Sequence, residues 1–276
     1  MMKSKLLKLL VLAAWAVPGV AMAEEMGATD HKGGVHAVPA SSHTVTSNIG
    51  LVSNYLYRGI SQTGGNPALQ GGFDYAHASG FYAGACGSNI SWIPNTVASS
   101  SSFELDTYAG LKGGFAGDFS YDVGYLRYNF PGVYPAGSTT KADTDEVYGA
   151  LGWKWVTLKY SHSLGDTFGM DEASGTSYVE LNASYALADA GITLGAHYGK
   201  QSYKGAAADA LEAIGTSPTY SDYKLSVSKD YSGYVVGLAY SSTDAKSDGF
   251  YTIIQADGSK TDLGKGTAVL SLTHAM

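Results

Sequence analysis

The residues best placed for chemistry are charged side chains set at every second position of otherwise apolar segments. They are Asp74, Glu104, Asp106, Asp122, Glu146, Glu180 and Asp222, against Arg58, Lys112, Lys154, Lys159 and Lys224. The clearest case is 102–112, where Phe103, Leu105, Thr107, Ala109 and Leu111 alternate with Glu104, Asp106, Tyr108, Gly110 and Lys112. Successive residues of a strand point to opposite faces, so one face carries the charge and the other is apolar. Rings or ladders of charge along a lumen select ions. The same charges can also pair across strands and plug a narrow barrel. Acids between the segments, among them Asp143, Asp166 and Asp244, lean any selectivity toward cations or neutral solutes.

Other chemistries find less support. His77, His162 and His197 fall within strand-like segments. A hydrolase would need a nucleophile beside a histidine and an orienting group. Ser161 and Ser163 flank His162 but point to the opposite face. There is no G-x-S-x-G and no H-x-x-x-H, and Gly64–Gly65 precedes no helix that would cradle phosphate. The single cysteine, Cys86, reads as a small packed residue and allows no intramolecular disulfide. No catalytic, cofactor or metal site is expected, and the chain is not read as an enzyme.

The elements that carry these residues are strands. The organising stretch is Ser47–Thr63, in which Ile49, Leu51, Ser53, Tyr55 and Tyr57 share the apolar parity and Arg58 closes the strand. Strict alternation is the mark of a half-buried strand, and it recurs to give about twelve strands of nine to eleven residues, the length that crosses a bilayer when tilted. Tight turns at 79–80, 116–117, 155, 189–191 and 232–233 alternate with long connections at about 59–67, 91–101, 130–143, 164–176, 201–218 and 242–264. This predicts an all-β fold: a transmembrane antiparallel up-and-down β-barrel with short periplasmic turns and long outer loops. A soluble sandwich, whose strands average about five or six residues, is the competing architecture. Ala206 to Ile214 predicts a short helix in the 201–218 connection, either folded inward or standing outside.

Composition fits the barrel. Charged residues are 15%, Gly 36 and Tyr 21, and the mean hydropathy is near zero, as alternating faces require. Lys3, Lys5 and Lys8, an apolar run and Ala21-Met22-Ala23 read as a signal peptide over 1–23, cut after Ala23. Residues 24–43 read as a flexible periplasmic extension and 44–276 as the barrel. The net charge of −7 argues against nucleic acid as a partner.

The blocks ALQGGFDYAHASGFYAG at 68–84, LKYSHSL at 158–164, LGAHYG at 194–199 and DYKLSVSKD at 222–230, with the first strand, resemble the TorF family of proteobacterial outer-membrane proteins. That family is assigned as porins mainly by homology, and the likeness covers about residues 44–276. Taken together, these readings predict a monomer or small homo-oligomer in outer-membrane lipid, passively admitting small hydrophilic solutes or ions. The resemblance brings no catalytic residues. A plugged barrel whose loops bind a partner is the alternative reading. The closing residues, Leu272 to Met276, depart from the terminal aromatic common in such barrels.

Overall fold

A computed structural model describes residues 42–97, 99–136, 140–247, 249–254 and 258–276. The expected signal peptide and nearly all of the expected extension lie outside them. Twelve long strands follow one another: β1 (His43–Val52), β2 (Ala68–His77), β3 (Phe81–Asn89), β4 (Phe103–Phe115), β5 (Phe119–Asn129), β6 (Thr144–Trp153), β7 (Val156–Ser163), β8 (Ser177–Leu187), β9 (Ile192–Ser202), β10 (Tyr220–Tyr231), β11 (Tyr234–Thr243) and β12 (Thr267–Ala275). Each is antiparallel to its neighbour, and β12 returns to pair with β1, so the sheet closes. Ile49 faces His274 and Leu51 faces Leu272 across the seam. No helix among the described residues is long and apolar enough to cross a membrane.

The alternation sorts side chains as expected. Leu69, Phe73, Leu151, Leu225 and Leu270 stand exposed on the outer face. An exposed apolar surface that encircles a closed barrel is what a lipid environment stabilises. Aromatics gather at the turn end, where Phe115 stacks on Phe119 and Trp155 meets Tyr185 edge-on.

Turn chemistry sets one end. Ala116–Gly117 and Ser232–Gly233 both have positive φ at two successive residues, the backbone of a two-residue hairpin turn. The long connections hold further elements, among them a short helix α1 (Trp92–Thr96) and a helix α2 (Ala206–Ala213). The latter confirms the helix expected from Ala206 onward. It packs through Ala208 on Met170 and Ala173 of the 164–176 connection, so its partners are other loops. Near it, burial pushes the hydroxyls of Tyr203 and Tyr251 above the ordinary tyrosine range.

The first connection differs from expectation. β1 ends at Val52, not near Arg58, and the chain turns into the barrel. Tyr55 and Tyr57 therefore do not continue the outer face. Two-residue strands Leu56–Tyr57 and Ile60–Ser61 form a small hairpin with Arg58 and Gly59 at its tip, both with positive φ. The reversal is held by side chains that alternation does not report. Ser61 and Thr63 hydroxyls donate to Asn54 Oδ1 at 2.6 and 3.2 Å. A Cβ at Gly59 would lie 2.7 Å from Asp222 Cβ and 2.6 Å from Thr243 Cγ2, so the tip rests against β10 and β11.

Candidate functional site: the barrel lumen

The inner face is built in two layers. Toward the loop end the hairpin reaches the wall on several sides. Tyr55 donates to Glu104 Oε1 at 2.6 Å, and the Tyr57 hydroxyl meets that of Tyr128 at 2.6 Å. Arg58 holds Glu146 through both arms of its guanidinium, at 3.1 and 2.8 Å. It also donates to Gln201 Oε1 at 2.7 Å, and its Cζ lies 4.3 Å from the Tyr178 ring centroid. Arg58 and Glu146 side chains are only 7% and 2% exposed. Removing one member of such a pair leaves a buried charge uncompensated, a cost of about 3–5 kcal/mol.

The wall also carries tyrosine–carboxylate pairs, Tyr178–Asp222 in the hairpin layer itself and the others beneath it. Tyr82 donates to Asp122 at 2.6 Å and contacts the Tyr148 hydroxyl. Tyr108 donates to Asp74. Tyr178 donates to Asp222 Oδ2 at 2.8 Å. His197 lies between Asp222 Oδ1, 2.8 Å from Nε2, and Asn182 Oδ1, 2.7 Å from Nδ1. Neutral O–H donors compensate part of the desolvation of each carboxylate without cancelling its charge.

The rings lie along the wall because glycines face them. A Cβ at Gly110 or Gly124 would collide with the rings of Tyr82 or Tyr148, and one at Gly199 with Tyr178. Lysines extend over the same rings, Lys112 at 5.0 Å from Tyr82 and Lys159 at 4.3 Å from Tyr148. Lys159 also reaches Glu180 at 3.9 Å.

The structure thus brings most of the charged residues read from alternation to one inner face. Asp74, Glu104, Asp106, Lys112, Asp122, Glu146, Lys159, Glu180, Asp222 and Lys224 all take the parity opposite the exposed apolar residues. Arg58 also reaches the lumen, from the hairpin and not from a strand. Lys154 does not belong with them. It occupies the β6–β7 turn with positive φ, 3.8 Å from Asp118 of the neighbouring turn, because a two-residue turn between Trp153 and Val156 takes it out of β6.

Burial separates these residues. Glu104, Asp106, Glu146, Glu180 and Asp222 are 3% exposed or less, whereas Lys112, Asp122, Lys159 and Lys224 are half-buried. The inner side chains are therefore most deeply buried at the level of the hairpin. Asp74 Oδ2, in the layer beneath, has no hydrogen-bond partner. Sequence reading missed Tyr82, Tyr128, Tyr178 and Gln201 as lumen residues. The available signal was tyrosine at the inward parity of a strand whose neighbour carries inward glycine.

A family model described as "Bacterial protein of unknown function (Gcw_chp)" matches residues 36–276. No curated protein matches the chain. Among solved structures, the KdgM porin in complex with disordered oligogalacturonate is 8% identical, with a TM-score of 0.48, covering 84% of this chain and 98% of that one. The NanC porin is also 8% identical, with a TM-score of 0.47 and the same coverage. OprD of Pseudomonas aeruginosa is 13% identical, with a TM-score of 0.37, covering 84% of this chain and 66% of that one.

Proposed function

The chain belongs to the Gcw_chp family, and from that premise and its lumen we propose that it is an outer-membrane channel for passive diffusion of small hydrophilic solutes or ions. One observation carries the reading: a closed barrel with an apolar outer face whose inner face holds nearly all of the strand carboxylates. Charge is stable at membrane depth only where it faces protein or water. The seven inner acids Asp74, Glu104, Asp106, Asp122, Glu146, Glu180 and Asp222 outnumber Arg58, Lys112, Lys159 and Lys224, which supports preference for cations or neutral solutes. Pore lining is assigned to all of these. The narrower likeness to the TorF family, export through a signal peptide cut after Ala23, and a monomeric or small homo-oligomeric state in outer-membrane lipid belong to the same proposal. It carries no catalytic role for the chain.

The test is single-channel conductance of the refolded protein in a planar bilayer under a salt gradient. Discrete, mildly cation-selective steps are expected. Replacing Glu104 and Asp106 with lysine weakens or reverses the preference, and an unchanged reversal potential refutes their place in the pore. The second reading is a plugged barrel whose loops bind a partner. It is favoured by the hairpin layer, where Glu146 and Arg58 are almost fully buried. A silent bilayer from protein with verified β structure selects it.

A further inference from the structure

The surroundings of Arg58 form a complete recognition site. Glu146 offers both carboxylate oxygens to the guanidinium fork, Gln201 Oε1 accepts a further N–H, and the Tyr178 face lies against the cation. A bidentate carboxylate, a neutral acceptor and a π face match a planar guanidinium, and a compact ammonium cannot use all three at once. Glu146, Gln201 and Tyr178 stand on β6, β9 and β8 of the closed wall. The occupant stands on a hairpin with two-residue arms, whose return arm is tied to the last connection by Ser61 N–H to Leu263 O at 2.9 Å. The receptor thus stands on three strands of the wall and its occupant on a hairpin tip.

We propose that Glu146, Gln201 and Tyr178 are a binding site for the guanidinium group of a small solute, with Arg58 as the occupant supplied by the chain itself. The inference rests on the channel reading only for the route by which solute arrives. Exchange replaces one cation by another on the same carboxylate, so buried charge does not change as the tip leaves. A group on a short flexible linker acts at about millimolar effective concentration, and the Tyr57–Tyr128 contact and the packing of Gly59 raise that threshold, so the solute must be supplied above it. Cys86 reports the exchange, because it is buried in the cluster that holds Tyr55 of the same inward segment.

The experiment uses the full chain refolded in detergent, with ethylguanidine as probe and ethylamine at equal ionic strength as control. Arg58→Ala should bind ethylguanidine on the order of tenfold more tightly than ethylamine, the worth of the charge-assisted hydrogen bonds that the fork adds. Adding Glu146→Gln should abolish that preference. In the unsubstituted protein, ethylguanidine should accelerate labelling of Cys86 by a small methanethiosulfonate reagent several-fold, and ethylamine should not. Equal binding of the two cations by Arg58→Ala, or binding that survives Glu146→Gln, overturns the site. Cys86 labelling indifferent to ethylguanidine overturns the exchange, and this assay stands even where Arg58→Ala does not fold. Neither readout passes current. Guanidinium-selective binding beside a silent bilayer supports the site while refuting the channel, and a conducting barrel without guanidinium preference refutes the site alone.

Discussion

Along β10, Tyr220 and Asp222 are buried on the inner face, whereas Lys224, Ser226 and Ser228 farther along the same face are only half-buried. β7 repeats this, with Ser163 and Ser161 buried and Lys159 and Thr157 half-buried. The wall is the same strand in each case, and its alternation does not change. What differs is the segment laid against it. At the loop end the hairpin tip meets β10 and β11 through Gly59 and β6 through Arg58. At the turn end the inner face carries small, half-buried side chains such as Ser226, Ser228 and Thr273. The strands make the tube, and the connections packed into it, the first hairpin among them, decide how much of it is filled.

The contrast can be broken most severely at the ion pair. Arg58→Ala or Glu146→Ala should each destabilise the barrel by about 3–5 kcal/mol, read as a lower unfolding midpoint in denaturant. The paired replacement Arg58→Met with Glu146→Leu should cost less than either alone, since neither charge is then stranded. Equal losses for the double and single variants would remove the ion pair as the anchor of the filled half. Next in size is the tyrosine layer. Gly199→Val should cost about 1–3 kcal/mol through overpacking against Tyr178. Gly149→Ala, whose added carbon meets nothing nearer than Val123 Cγ1 at 3.9 Å, should stay within about 0.5 kcal/mol by the same measurement. At the turn end Ser226→Ala should also fall within about 0.5 kcal/mol. Lys154→Ala, which loses an exposed pair with Asp118 and a cation–π contact with Trp153, should change stability by about 0.5–1 kcal/mol, an effect that added salt weakens.

Much of the tube is legible in the sequence. Alternation over Phe103 to Lys112 names both faces of β4, because a period of two is a local property. The hairpin was not legible for the opposite reason. Tyr55 and Tyr57 keep the phase of Leu51, and nothing local distinguishes a strand that continues from one that doubles inward. The decision lies in Asn54, Ser61 and Thr63 bonding one another and in Arg58 finding Glu146 eighty-eight residues away. Lys154 went astray over turn length, since Trp153-Lys154-Trp155 fits either a strand end or a turn. Charges could be placed on the inner face, but their partners could not. The stagger of neighbouring strands fixes whether Lys159 meets Glu180 or another acid, and a single strand's pattern does not contain it.

The seam between β1 and β12 has a consequence for how the molecule is made. Residue 49 finds its partner at residue 274, whereas every other adjacent pair in the wall is consecutive in sequence. Ten strands can zip onto their predecessors as neighbours, but until β12 is in place the growing sheet has two raw edges of unpaired amides and carbonyls. In lipid such edges are intolerable, and in water they invite pairing with another chain. Closure is therefore the committing event of assembly, contributed by its most distant contact. A chain lacking β12 would expose an open, adhesive ribbon in place of a shorter barrel.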